Sequence, residues 1–553
     1  MSTDSATPWR LFALVVFIGA QSPTLAQQAP DVGRLLQEQQ APPTPPPLRE
    51  LNLDAPPTAP MDPGGPSVVL KGVEINGASV FSDEKLIALL TDAIGQAHDL
   101  AGLERLAARI TTYYREHGYP FARAYLPAQR MSDGRLRLEI IEGRYGEVRA
   151  ASVSPKTAAS AQAYLQALRP NELIRAHELE RAALLLDGLP GVSVTAVLRP
   201  GQAAGTGDLF VEVERQRRLS GLLSLDNHGN RFSGALRLGG QLALASPFML
   251  GDEVVVNALL SDEELWSGGL AYSLPIGADG LRARAGYTHT YYELGEEFAA
   301  LGANGKARIG YLGLSYPLLH SQAANVAINV SYQYKTLEDA YDAVDVSEEK
   351  HSHGVPISLQ FDVRDDLLGG GLFFGAVTWT AGELHLDRDM RQLDRAATRS
   401  HGRFDKVNME LVRLQHLPAG FGLYGRISAQ WAGDNLDSSE SFGLGGAGGI
   451  RAYPAGEAFG DEGLLGQIEL RYTIAGYSPY LFYDHGKIRV NAEPGPQVEA
   501  RSEERSGVGL GLHWQYAGLR LNTSFAWRLT GGEPDSDHRD RQPRWWATLE
   551  RAF

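Results

Sequence analysis

Two kinds of hydrophobic spacing divide this chain. Up to about residue 216, apolar positions recur at helical intervals between short alternating segments. From residue 217 to the last residue the helical period is gone. In its place stand alternating apolar and polar segments of about ten to twelve residues, separated by Gly, Asp and Asn clusters. The clearest is LRLNTSFAWRL, where Leu519, Leu521, Thr523, Phe525, Trp527 and Leu529 face one way and Arg520, Asn522, Ser524, Ala526 and Arg528 the other. In QIELRYTI, Ile468, Leu470, Tyr472 and Ile474 oppose Gln467, Glu469, Arg471 and Thr473.

In a soluble sandwich the apolar face would be the inside. A charged face that recurs on many segments suits a water-filled lumen with lipid outside. Backbone groups in lipid must all be paired, so such strands must close into a barrel. Candidate strands start near residues 219, 233, 252, 265, 281, 306, 323, 354, 371, 403, 421, 463, 478, 505, 518 and 542. They predict a 16-stranded antiparallel transmembrane β-barrel over residues 217–553, with strands of about nine to eleven residues. The last segment, QPRWWATLERAF, puts Trp545, Ala547, Leu549 and the final Phe553 on one face, interrupted by Arg551, which that face tolerates if it lies at the interface.

The part before the barrel reads as two small α+β domains. In residues 67–143, VVLKGVEI is a strand, Ser82 caps a helix SDEKLIALLTDAI, and LERLAARITTYYREHG is a second helix ending at Gly118. Strands around YPFARAYLP and GRLRLEIIEG follow. Residues 144–216 repeat the order strand, helix, helix, strand, strand with little identity, a tandem module of about 70 residues. Upstream, ten of residues 42–66 are Pro, which forces an extended linker without a core. Before that, residues 27–41 offer a short helix with Leu35 and Leu36 on one side. Near the start, Arg10, the apolar run LFALVVFIGA and Thr24-Leu25-Ala26 read as a signal peptide over residues 1–26.

Composition narrows the chemistry. Cysteine is absent, which excludes disulfides and thiolate chemistry. The formal net charge of −15 argues against nucleic acid as a partner, since phosphate needs a basic face. The stretch GLGGAGGIRAYPAGEAFGDEG contains G-x-G-x-x-G at Gly443, Gly445 and Gly448. A nucleotide cradle needs a strand before it and a helix after it. Here a polar turn precedes, and Pro454 and Gly456 interrupt any helix, so no nucleotide is expected. Asp484-His485 cannot serve one water, because neighbouring strand residues face opposite ways. His351-Ser-His353 reads as a solvated loop with too few ligands for a metal. With no serine elbow either, the chain reads as no enzyme, with no cofactor.

Taken together, these segments resemble the two-partner secretion transporters (TpsB type), a branch of the POTRA-and-barrel outer-membrane superfamily. The stretch Ile450-Arg451-Ala452-Tyr453 is similar to that family's loop motif, with Ala452 where Gly is usual. The resemblance implies that residues 27–41 form a plug helix and that the two modules are POTRA domains. It also implies that residues 435–462, with Gly446, Gly449, Ile450, Arg451 and Tyr453, fold back into the lumen. Arg451 is then expected to pair with Asp484 in the Phe482-x-Asp484 stretch of the thirteenth strand. The substitution at 452 implies that this turn needs no positive φ there. The implied function is capture of a large, unfolded, β-rich partner in the periplasm, by strand addition, and its secretion through the barrel. The implied setting is the outer membrane of a Gram-negative bacterium, with membrane lipid and the barrel assembly machinery as further partners and Phe553 as the assembly signal. The alternative is a factor that inserts other outer-membrane proteins.

Overall fold

The structure is a computed structural model that describes residues 29–40, 42–47, 64–493, 501–537 and 539–553. The signal segment expected at 1–26 and residues 48–63 of the linker lie outside the described residues.

The first module places α2 (Asp83–Ala88) and α3 (Leu100–Glu116) on a sheet of β2 (Gly72–Asn76), β4 (Arg123–Tyr125) and β5 (Arg135–Ile141), in the order β2-β5-β4. Asp99 caps α3 by accepting from the Gly102 amide. Gly118, at φ 89°, terminates it. The apolar stripe Leu103, Leu106, Ile110 and Tyr114 is buried against Leu136 and Leu138. Each such side chain contributes about 1.5–3 kcal/mol by leaving water. A two-stranded sheet of β1 (Val68–Val69) and β3 (Ala97–His98) adds to the predicted order; strands of two residues leave no periodic signal. The second module follows the predicted order: β6 (Arg144–Ala151), α4 (Pro155–Tyr164), α5 (Ala176–Asp187), β7 (Val192–Pro200) and β8 (Thr206–Arg215). Its sheet runs β6-β8-β7.

The remaining chain is a closed barrel of sixteen strands paired in chain order, each antiparallel to the next. The last strand (Arg544–Ala552) pairs with the first (Leu219–Asp226), so no edge is open. The alternation sorts as predicted. Phe525, Trp527, Leu529, Ile468, Leu470 and Tyr472 are exposed on the outer wall, whereas Ser524, Ala526, Gln467 and Glu469 are buried inside. The second module sits on one rim, here the near rim. Arg181 Nη2 donates to the carbonyls of Asp279 and Pro317 at 3.2 Å, and Glu180 Oε1 accepts from the Gln322 amide at 2.6 Å.

Two expectations need correction. Strand lengths are not uniform at nine to eleven residues: the sixth (Ala303–His320) and seventh (Ala324–Tyr341) have 18 and the eighth (Val346–Asp365) has 20. Fewer than a dozen tilted residues span a bilayer, so the surplus projects beyond it at the far rim. The eighth strand accordingly begins at Val346 rather than near 354, and His351 and His353 lie on it, not in a solvated loop.

Candidate functional site in the barrel lumen

The connection between the eleventh strand (Phe421–Ala432) and the twelfth (Glu462–Tyr472) turns back into the barrel instead of extending outward. Its stem is a two-residue ladder, Phe442 against Gly460 and Gly443 against Phe459. Beyond the stem the backbone is packed so closely that side chains would not fit. A Cβ on Gly449 would stand 2.0 Å from the Leu444 carbonyl oxygen, and one on Gly445 2.1 Å from that of Pro454. Gly446 supplies the positive φ of 95° that reverses the chain. Ala452 is not among the residues with positive φ, which accounts for a methyl group being tolerated there.

This tight turn presents Arg451 to the wall. Its Nε and Nη2 donate to the two carboxylate oxygens of Asp484 at 2.9 and 2.7 Å, a planar bidentate pair. Its backbone amide donates to Asp484 Oδ2 at 3.1 Å, and its Nη1 reaches Glu469 Oε1 at 2.6 Å. The guanidinium carbon lies 3.6 Å from the Phe482 ring centre, a cation–π contact on the third side. Arg451 is 6% exposed and Asp484 0%. Burial alone would lower the arginine pKa; the Asp484 charge, followed by Glu469, outweighs it and raises it. Ile450 and Tyr453 are fully buried beside Leu465 and Tyr480, and the Tyr453 hydroxyl donates to the Thr530 carbonyl at 2.6 Å.

Phe482 and Asp484 on the thirteenth strand (Tyr477–Arg489) and the loop residues therefore meet at one point. His485 faces away from Asp484, 44% exposed at its side chain. Phe553 stands apart, at the near-rim end of the last strand, exchanging two 3.0 Å backbone bonds with Gly221. Sequence reasoning missed three members of the cluster. Glu469 bridges Arg451 and Arg471, Gln467 Nε2 holds the Gly449 carbonyl at 2.7 Å, and Trp546 Nε1 donates to the Arg451 carbonyl at 2.7 Å. A signal for each was present: Glu469 and Gln467 lie on the polar face of QIELRYTI, and Trp546 faces inward because Trp545 faces out.

A second element fills the lumen. Helix α1 (Val32–Glu38) is capped by Asp31 and buries Val32 and Leu35 against Leu337 of the wall and Phe232 and Leu294 of two strand connections. Asp31 also accepts from Ser438 and pairs with Lys350, whose Nζ lies 2.7 Å from Asp437 Oδ2. Ser438 and Asp437 belong to the same connection that carries Arg451. Burial would raise the Asp31 pKa, but the Lys350 charge holds it down to about 2. Glu440 behaves likewise, held to about 2 by Lys335 and Lys406 at 2.6 and 2.8 Å. Glu38 differs: burial dominates and pushes its carboxyl up to about 7, with only a partial offset from the Asn230 hydrogen bond. From α1 the chain runs toward the near rim, where the Pro47 carbonyl accepts from Arg364 at 3.0 Å. What remains open is a cavity of about 1170 Å³ between these elements and the near rim, lined in part by Glu38, Pro42, Arg426 and Gly448.

Comparison with known proteins places this arrangement. The family described as haemolysin secretion/activation protein ShlB/FhaC/HecB matches residues 205–514, more than half of the chain, and the POTRA domain, ShlB-type, matches residues 68–143. The heme/hemopexin transporter protein HuxB of Haemophilus influenzae is 28% identical over 495 residues, covering 86% of this chain and 85% of that protein. The outer membrane transporter CdiB of Dickeya dadantii is 22% identical over 420 residues, 74% of this chain and 73% of its own. Among solved structures, CdiB from Escherichia coli superposes with a TM-score of 0.67 at 18% identity, covering 100% of both chains. BamA from Haemophilus ducreyi lacking POTRA domains 1–3 gives 0.52 at 13% identity, over 88% of this chain and 100% of its own. The chain belongs to the haemolysin secretion/activation protein family: it is an outer-membrane transporter, not a member of an enzyme family, with its barrel in the outer membrane and its POTRA domains in the periplasm.

Proposed function

We propose that this transporter captures one large, unfolded, β-rich partner protein in the periplasm and secretes it through its own barrel. The observation that carries the reading is the way the lumen is filled. Both fillers, α1 and the Arg451 loop, are held to the wall by side-chain pairs and packing, and neither is paired as a strand of the barrel. The wall itself is closed, so clearing the passage requires only that these two elements move. Capture falls to the open sheet edges of the POTRA modules, above all β7, a nine-residue edge strand whose Val197 is 40% exposed. An adhesin, a haemolysin or a contact-dependent toxin fits this chemistry equally.

The test is deletion of this chain in a strain that also encodes a very long exported protein beside it. That protein should disappear from the culture medium and collect, or be degraded, in the periplasm. The second reading, a factor inserting other barrels, draws on the likeness to BamA, which is a likeness of fold. It would be favoured by unchanged secretion together with loss of other outer-membrane proteins.

We further propose that Phe553 is the signal read by the barrel assembly machinery, since it is the last outward-facing aromatic of the closing strand, 48% exposed. Deleting it should lower the amount of protein inserted, measured by immunoblot of outer membranes. Transport per inserted molecule should change less. Equal insertion with and without Phe553 would contradict this.

A further inference from the structure

On the outer wall at the far aromatic belt, level with exposed Tyr334 of the seventh strand, four side chains with metal-binding chemistry share one face of two paired strands. His351 and His353 are alternate residues of the eighth strand, so they point the same way. Their directly opposed partners on the ninth strand (Gly371–Leu386) are His385 and Glu383, respectively. Opposed residues in an antiparallel pair hold their Cβ atoms about 4.5–5.5 Å apart, so the four outline a compact rectangle. Trp379, 45% exposed, opposes Ile357 on the same two strands and marks the belt. Glu383 lies four residues beyond Trp379, roughly 13 Å along the strand at 3.3 Å per residue and clear of the hydrocarbon.

The distances lean toward a shared centre. Glu383 Oε1 lies 3.5 Å from His385 Nε2, and Oε2 lies 3.9 Å from His353 Nε2. The two imidazoles stack with centroids 5.8 Å apart. The 3.9 Å gap is too long for a hydrogen bond, and 3.5 Å is at the limit. Two ligands of one tetrahedral ion, each about 2.0–2.2 Å from it, stand about 3.4 Å apart. Independently, His351 Nδ1 is buried without a hydrogen-bond partner. Such an orphan is costly unless something coordinates it. Among the described residues no three such groups already surround one point. The side chains are 38–50% exposed, so rotation about their own side-chain bonds can bring them together. Glu349, 3.7 Å from His351, adds negative charge to the site, and Arg403, opposite Glu383 on the tenth strand, adds positive charge.

We propose that His351, His353, Glu383 and His385 form a binding site for a borderline transition-metal ion, zinc, copper(II) or nickel, on the outer wall at the far aromatic belt. Three imidazoles and one carboxylate suit these ions better than calcium or magnesium, which prefer oxygen. The bound ion clamps the eighth and ninth strands where they project from the bilayer.

The test uses the full chain purified in detergent and titrated with zinc or copper(II) alone by calorimetry, with copper spectra recorded by electron paramagnetic resonance. The wild type should bind one ion per chain, and the copper signal should carry coupling to imidazole nitrogens. His353→Ala, His385→Ala and Glu383→Gln should each bind roughly tenfold or more weakly, since even residues that only support a metal ligand cost 10–100-fold when lost. His416→Ala, a distant control, should bind as the wild type. All four face solvent, so heat-resistant folding on gels should survive in every variant. Absence of nitrogen coupling in the wild type would overturn the proposal. So would unchanged binding in the combined His351→Ala, His353→Ala, His385→Ala variant.

Discussion

Arg451→Ala is expected to abolish secretion of the partner while the barrel still inserts and migrates as a folded, heat-resistant band. The substitution removes one charge from a group of four, buried Arg451, Glu469 and Asp484 with half-buried Arg471, whose formal charges otherwise cancel. Asp484 is 0% exposed and would keep only a long 3.4 Å bond from Gln467 and the amide of residue 451. Stranding one member of a buried pair typically costs about 3–5 kcal/mol, against about 0–1 for an exposed pair. That is enough to free the turn at residue 451 from the wall, while Ile450 and Tyr453 and the lysine pairs of Asp437 and Glu440 still hold the rest of the loop. The strands are unaffected, because their ladder does not involve these side chains. Asp484→Ala should be milder, since Arg451 keeps Glu469 at 2.6 Å. The double variant should be no worse than Arg451→Ala alone, because Glu469 and Arg471 remain a balanced pair and both changes remove one contact. Arg451→Lys should rescue only in part, as an ammonium keeps the charge but loses the fork. Secretion assays with a marker fused to the partner measure all four. Normal secretion by both single variants, or simple addition of their defects, would count against a pinned loop.

Removing residues 27–41 should raise single-channel conductance in planar bilayers several-fold while leaving the barrel folded. Helix α1 is anchored at its tip by Asp31, Lys350 and Ser438, and on its flank by Val32 and Leu35. None of these side-chain contacts is part of the strand ladder. The same recording carries a pH test. Glu38 has its pKa raised to about 7 in the docked helix, above the ordinary carboxyl value of 4.5, and burial is the cause. A carboxyl raised on docking favours the docked state while protonated. That advantage is complete below about pH 4.5 and is lost as pH rises toward 7. Asp31, held near 2, stays charged through this window and contributes no slope. Full-length channels should therefore open more often at pH 8 than at pH 5, and Glu38→Gln should reduce the difference. Unchanged conductance on deletion would argue that the helix does not block the pore.

The barrel was legible in the sequence because lipid on one side and water on the other impose a strict period of two. Fifteen of the sixteen strands begin within four residues of the expected start. The exception, the eighth, begins with VSEEKHSHG, which projects beyond the membrane and so carries no apolar alternation. Helix α6 (Arg388–Ala396), which follows the ninth strand, was missed for a related reason: RDMRQLDRA has too few apolar residues to show a stripe. At the lumen site, the meeting of Arg451 with Asp484 came from resemblance. Nothing in local spacing joins a loop residue to a strand residue 33 positions away. Glu469 was readable by parity alone, because a charged residue alternating with Ile468 and Leu470 must face the lumen.

The central claim, that the partner leaves through this lumen once its fillers move, can be tested with a removable staple. The chain has no cysteine, so a Gly33→Cys, Ser438→Cys pair forms the only possible disulfide within it. A Cβ at Gly33 would lie 2.3 Å from Ser438 Oγ and 2.5 Å from the Ser439 backbone nitrogen, so the two positions are adjacent and the bridge forms once α1 backs away from that backbone. The quantity to measure is partner protein in the medium, in oxidising conditions and after mild reduction, with each single cysteine variant as control. The expected result is retention of the partner while the bridge is intact and release on reduction. Wild-type secretion with the bridge demonstrably formed would contradict passage through a vacated lumen.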